Sequence, residues 1–154
     1  TEDVHVHDND IIGNKTVGTA IISYALVSEL TGENTSENSN AGSAQQINRK
    51  YEEDRRYNPY PRGIKLQNNR IQNDHVFPAM SHDFGRLFLW KFGLETPDIV
   101  YDGVLPPNIA DRTALQASEY RICIDENIET RFADMDAGNG FESISHDKSV
   151  FSCP

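Results

Sequence analysis

A change of apolar period along the chain limits the fold more than any other feature. Over residues 16–30, Val17, Ala20, Ile21, Tyr24 and Val27 recur at helical spacing. Asn14 or Thr16 can cap the start, and Gly32 follows the end. This predicts one main helix. Before it, Val4 and Val6 alternate with polar residues over 3–8, the pattern of a short strand. After the Tyr57-Asn-Pro-Tyr60-Pro61 turn the pattern reads as strands, at 63–67, 75–80, 86–92 and 98–102. Residues 109–117 read as a loop or a short helix. The clearest strand is 119–125, with Tyr120, Ile122 and Ile124 on one face and Arg121, Cys123 and Asp125 on the other. A hairpin near Glu126-Asn127 is expected to return through 128–134, and a last strand to occupy about 148–153. One helix followed by a run of strands implies an α+β fold, with the helix packed on an antiparallel sheet. No internal repeat and no linker stand out, so 1–154 reads as a single domain. Residues 31–46, TGENTSENSNAGSAQQ, form a polar loop with almost nothing to bury.

Charge narrows the function classes. The chain has 14 Lys and Arg against 24 Asp and Glu, a formal net charge of −10. Phosphate binding needs clustered cations, so this balance disfavours RNA, DNA and anionic membranes as general partners. No apolar run approaches the length of a membrane span. The start at Thr1, without Met or a charged-then-apolar leader, is what a mature protein looks like after signal removal or trimming. The sequons at Asn14 and Asn34 fit that expectation without adding much to it. A bridge between Cys123 and Cys153 would contribute roughly 3 kcal/mol by closing a loop in the unfolded chain. The alternative is two buried thiols. The position of Cys153 favours the bridge, because a tail needs tying down.

Few residues are candidates for chemistry. His5 and His7 flank Val6, so both rings point to one face of a strand and have zinc-ligand spacing. No third ligand is evident among His75, His82 and His146, and two solvent-facing histidines are the expected reading. Asp134-Met-Asp136-Ala-Gly138-Asn-Gly140 has a hint of a calcium loop, but Asn139 and Ser145 stand where its Gly and Glu belong. A plain glycine-rich turn is expected there. No metal and no cofactor are expected.

Several short motifs line up in order: Tyr60-Pro61, Val76-Phe77-Pro78, Tyr120-Arg121-Ile-Cys-Ile-Asp-Glu-Asn127, a glycine-rich turn and the terminal Cys153. Together they resemble the ribonuclease T1 and ribotoxin group, and more closely the ribonuclease-like secreted effectors of powdery mildew fungi. The resemblance implies a ribonuclease T1-like fold. It also implies a vestigial phosphate or RNA site at Tyr60, Arg62 and Arg121. Where that family has a His after Tyr-Pro this chain has Arg62, and Val76 replaces the catalytic Glu. The family's acid His has no counterpart, since Asp134 and Asp136 lie near its position. Without a proton-transfer pair the resemblance implies a pseudoenzyme, with no catalytic residue. It would be secreted, with host cells as one destination, and would bind a host protein or plant immune receptor, with RNA disfavoured. The rival readings are an active ribonuclease using His75 or His82 with Arg121, and a β-rich structural or viral coat protein.

Overall fold

In the computed structural model, described over residues 2–30, 58–73, 80, 83–125 and 129–153, the strands run parallel. The first sheet joins β1 (His5–His7), β4 (Ile64–Gln67) and β7 (Ile122–Ile124). The second joins β2 (Asp10–Ile12) and β5 (Arg70–Gln72). The third joins β3 (Thr19–Ile21), β6 (Ile99–Tyr101) and β8 (Phe132–Asp134). The chain visits the sheets in the order first, second, third, and then starts again. This is a parallel β-solenoid, in which each turn stacks on the last and buries what a single turn cannot.

The corners explain why strands this short suffice. Asp8 and Asn68 both adopt left-handed backbone, with φ of 56° and 49°, which Asp and Asn tolerate better than other side-chain-bearing residues. They stack one above the other, and the Asn68 amide donates to the Asp8 carboxylate. The next residues form a ladder. Asn69 is buried at 5% exposure, its Nδ2 donates to the Val6 carbonyl at 2.7 Å, and its Oδ1 accepts from Asn9 N at 3.1 Å and Asn9 Nδ2 at 3.0 Å. Gly63, at φ +62°, stacks on Asp3 at the preceding corner, where an added Cβ would lie 2.3 Å from Asp3 Oδ1.

Inside the solenoid, aliphatic residues stack from turn to turn. Val6 pairs in register with Leu66, and Leu66 with Ile124. Ile64, Leu66, Ile71, Ile99, Ile122 and Phe132 are buried in one cluster. Helix α2 (Asp83–Phe92) covers the outside of the third sheet, where its Phe88 is buried with Val100 and Met135. Helix α3 (Arg112–Gln116) has Asp111 as its N-cap, which accepts from Ala114 N at 2.8 Å, and buries Leu115 in the core.

These observations overturn the expected α+β, ribonuclease T1-like fold. No strand pair among the named strands is antiparallel. The predicted helix at 16–30 is a strand, β3, followed by α1 (Tyr24–Leu30). The spacing of Val17, Ala20 and Ile21 suits a helix, but Thr19 and Ile21 are β-branched and β6 supplies a ladder partner. The predicted strand at 86–92 is helix α2, because Gly85, Phe88 and Phe92 fall on one helical face and the Phe88 and Phe92 rings meet at 5.3 Å. No hairpin joins 119–125 to 128–134, since β7 and β8 belong to different sheets. The last predicted strand is a 3-10 turn, Ser149–Phe151, followed by one bridge from Ser152 to Ile124. Strands at 3–8, 63–67, 98–102 and 119–125 are present in shorter form. The strand expected at 75–80 and the polar loop at 31–46 fall on residues outside those described, apart from Met80.

The C-terminal end is closed by the tail. Cys123 and Cys153 form a disulfide, with 4.7 Å between Cα atoms. Phe151 is 2% exposed, with its ring 5.2 Å from Phe132 and 5.7 Å from Tyr101. Ser145 bridges the outer edge of β8 through Asp134.

Candidate binding site

Alternation on β1 and β4 sends Val6, Ile64 and Leu66 inward and His5, His7 and Lys65 outward. In register, His5 stands beside Lys65 and Lys65 beside Cys123. The segment leaving α3 is drawn against β4, because Gly63 N donates to Glu119 O and Ile64 N to Arg121 O, each at 3.1 Å. Together these place a cavity of about 590 Å³ on the outer side of the first sheet. Asp3, His5, Lys65, Ser118, Glu119 and Arg121 contribute to its lining. No Phe, Tyr or Trp is among the described residues that line it.

The charges in this cavity are unevenly satisfied. Arg62, just outside it, holds Glu119 and Glu2 at 2.6 Å each. The Glu2 hydrogen bond, with the charge of Glu119, raises the Arg62 pKa above the ordinary guanidinium value. Lys65 and Arg121 form no ion pair among the described residues. Gln116 also lines the cavity, and its Nε2 is buried without an acceptor.

Of the proposed phosphate trio, the cavity takes up Arg121 alone. Arg62 is held between two carboxylates, and Tyr60 packs edge-on against Tyr120 with ring centres 6.3 Å apart. His5 and His7 do share a face, their rings 4.5 Å apart, and Asp8 is bound to His7 Nδ1 at 2.7 Å. That bond, with a second from Asn68, lowers the Asp8 pKa. Among the described residues no group of three or more His, Cys, Asp or Glu is arranged to hold a metal ion. His75, Val76 and His82 lie outside the described residues.

Sequence reasoning missed a buried acidic cluster at the end of the third sheet. Asp134 faces inward at 4% exposure and is gripped by Arg112 through two bonds, from Nε at 2.5 Å and Nη2 at 3.0 Å. Asp136, in left-handed backbone at φ 51°, accepts from Asn139 Nδ2 at 2.9 Å. The turn at 136–140 is therefore the glycine-rich turn expected, with a short 3-10 segment at Ala137–Asn139. Asp102 is fully buried and accepts from Ser23 N at 2.6 Å and Val104 N at 3.1 Å. Burial raises its pKa, and the nearby charge of Asp134 adds to the rise. These carboxylates are engaged by donors of the fold and have the form of a structural network.

Comparison with protein-family models, with curated proteins and with solved structures finds no match to this chain. The ribonuclease-like scaffold is replaced by a solenoid, and the host-protein partner it implied loses its ground.

Proposed function

We propose that this chain is part of an extracellular binding protein whose outer first-sheet face takes an acidic oligosaccharide. The observation that carries this reading is the cavity of about 590 Å³ in which Lys65 and Arg121 have no carboxylate partner among the described residues. Two such cations suit a sugar carboxylate, to which charged hydrogen bonds are the strong ones. Gln116 and His5 offer donors and acceptors to hydroxyl groups. Successive turns of a solenoid repeat a face at about 4.8 Å, which suits a linear polymer lying across them. RNA suits it less, because the net charge is −10 and no Phe, Tyr or Trp is among the described residues that line the cavity.

Binding without turnover is part of the proposal. Of the two carboxylates among the described lining residues, Glu119 is held by Arg62, which leaves Asp3 without a free second carboxyl among them to share acid and base roles. Extracellular residence is supported by the disulfide, which persists in oxidising surroundings.

Calorimetric titration with a hexuronic acid oligomer, a neutral hexose oligomer and single-stranded RNA tests this. The uronic oligomer should bind best. Lys65→Ala and Arg121→Ala should each weaken it by about 10- to 100-fold, the range expected for a charged hydrogen bond. Equal binding by the double variant, tighter binding of RNA, or no binding of any probe would overturn the proposal.

A further inference from the structure

The outer face of β1 carries a pair of metal-ligating side chains beside the cavity that His5 helps to line. His5 and His7 are both exposed, one on each side of Val6, which packs against the core. Their rings lie 4.5 Å apart at an interplanar angle of 39°. Two imidazoles this close on one face of a strand can each turn a nitrogen toward one ion, at the usual zinc–nitrogen distance of about 2.0–2.1 Å. The strand that carries them is held in register with β4, His5 beside Lys65 and His7 beside Gln67.

The surroundings of His7 point the same way. An Asp8 oxygen lies 2.7 Å from His7 Nδ1. An ionised carboxylate only accepts, so in the neutral ring Nδ1 carries the proton and Nε2 keeps its lone pair. Asp8 is itself fixed, by its left-handed backbone at φ 56° and by the Asn68 amide, which donates to its other oxygen. A carboxylate that sets the tautomer and orientation of a histidine is the usual outer support of an imidazole metal ligand. The His5 ring has no hydrogen-bond partner among the described residues. Of the charged groups next to the pair in sequence or register, Lys65 opposes a cation, while Asp3 and Asp8 favour one.

We propose that His5 and His7 form an open two-imidazole site for a divalent transition-metal ion, with Asp8 orienting His7 and water in the remaining positions. Two protein ligands fall short of the four of a structural zinc site, so the ion is exchangeable and not a staple of the fold. Imidazole ligation and the general order of stability favour copper(II) over zinc, and both over magnesium, which prefers oxygen ligands. This site does not rest on the sugar-binding reading, and its test uses no sugar.

Titration calorimetry of the full chain, without a histidine tag, with copper(II), zinc and magnesium chlorides tests this. Copper(II) and zinc should bind, and magnesium should not. His5→Ala and His7→Ala should each weaken zinc at least about tenfold, since each removes one of two ligands. Asp8→Asn should weaken it about 10- to 100-fold, the range for loss of an outer support. Asn already occupies the equivalent corner at Asn68, so this variant keeps the left-handed turn. Replacing His75, His82 or His146 by Ala should leave zinc binding unchanged. In the wild-type chain, zinc should shift the imidazole proton signals of His5 and His7 alone, a readout that needs no variant to fold. The site is overturned by an absence of zinc binding, by magnesium binding as tightly as zinc, or by zinc affinity unchanged in both His5→Ala and His7→Ala. Loss of binding on replacing one of the other histidines overturns it as well. Unchanged affinity in Asp8→Asn overturns the orienting role of Asp8.

Discussion

Replacing Asn69 probes the ladder that sets the register of the first two turns. Asn69→Ala removes three hydrogen bonds, to Val6 O, from Asn9 N and from Asn9 Nδ2. At about 1 kcal/mol net each, the sum is about 3 kcal/mol. Asn9 is exposed, so water replaces part of what its donors lose, while the Val6 carbonyl is left at a partly buried position. The expected loss is therefore about 2–3 kcal/mol, a fall in Tm of about 5–10 °C for a chain of this size. Asn69→Asp is more diagnostic. The new group keeps the acceptor but loses the donor, and sets a charge against the Val6 carbonyl at a site 5% exposed. Its folded pKa then lies above the unfolded value near 3.9, so the native state binds the extra proton. The variant should be at least as unstable as Asn69→Ala at neutral pH. It should recover as pH falls through the folded pKa, where the protonated carboxyl can donate again. Urea unfolding of both variants between mildly acidic and neutral pH reads this out. A loss below about 0.5 kcal/mol for Asn69→Ala, the size of an ordinary surface change, would refute the reasoning. So would an Asn69→Asp stability that tracks wild type at every pH.

Other outcomes follow from the packing. The Cys123–Cys153 bridge closes a separation of 30 residues. Cys123→Ser with Cys153→Ser should cost about 3–4 kcal/mol by the chain-entropy argument, measured by thermal unfolding with and without reductant. Gly103 has φ +77°, and a Cβ there would lie 2.3 Å from Asp134 Oδ1 and 2.6 Å from Asp136 N. Gly103→Ala should cost about 2–3 kcal/mol from strain and crowding. Gly138→Ala, whose Cβ meets nothing closer than 3.8 Å, should be near neutral in the same assay. Burial raises the Asp102 pKa above the ordinary aspartate value of 3.8. An acid raised in the folded state destabilises as it ionises, so its share of stability falls as pH rises from that value through the folded pKa. Asp102→Asn should remove this slope, which the difference between the two pH–stability curves would show.

Much of the local structure was legible in the sequence. The outward histidines follow from the alternation around Val6, and β4, β6 and β7 from their runs of Ile, Leu and Val. The turn at 136–140 follows from its glycines, and the cysteine pair was the expected one. The repeat was present but faint. Val6-His7-Asp8-Asn9-Asp10-Ile11 and Leu66-Gln67-Asn68-Asn69-Arg70-Ile71 share an inward aliphatic, an Asp or Asn at the corner, Asn at the ladder position and Ile after it. The interval then changes, because the excursion carrying α2 enters between β5 and β6, so Lys65 pairs with Cys123 while Ile99 pairs with Phe132.

Arg121 was singled out from a motif, and it does line the cavity, but Lys65 was not, because nothing local distinguishes an outward lysine on a short strand. The fold class was beyond local reading for a related reason. A three-residue strand shows the same alternation whether its partner runs parallel or antiparallel. By itself, then, the sequence showed the extended segments at 3–8, 63–67, 98–102 and 119–125 and the glycine-rich turn at 136–140, while it put a helix over β3 and a strand over α2. Tertiary structure alone decided that the strands stack in parallel, that Asn69 comes to lie beneath Asn9, and that Lys65 and Arg121 share one cavity. Those pairings join residues about sixty positions apart, where only the stacking of whole turns selects one partner over another.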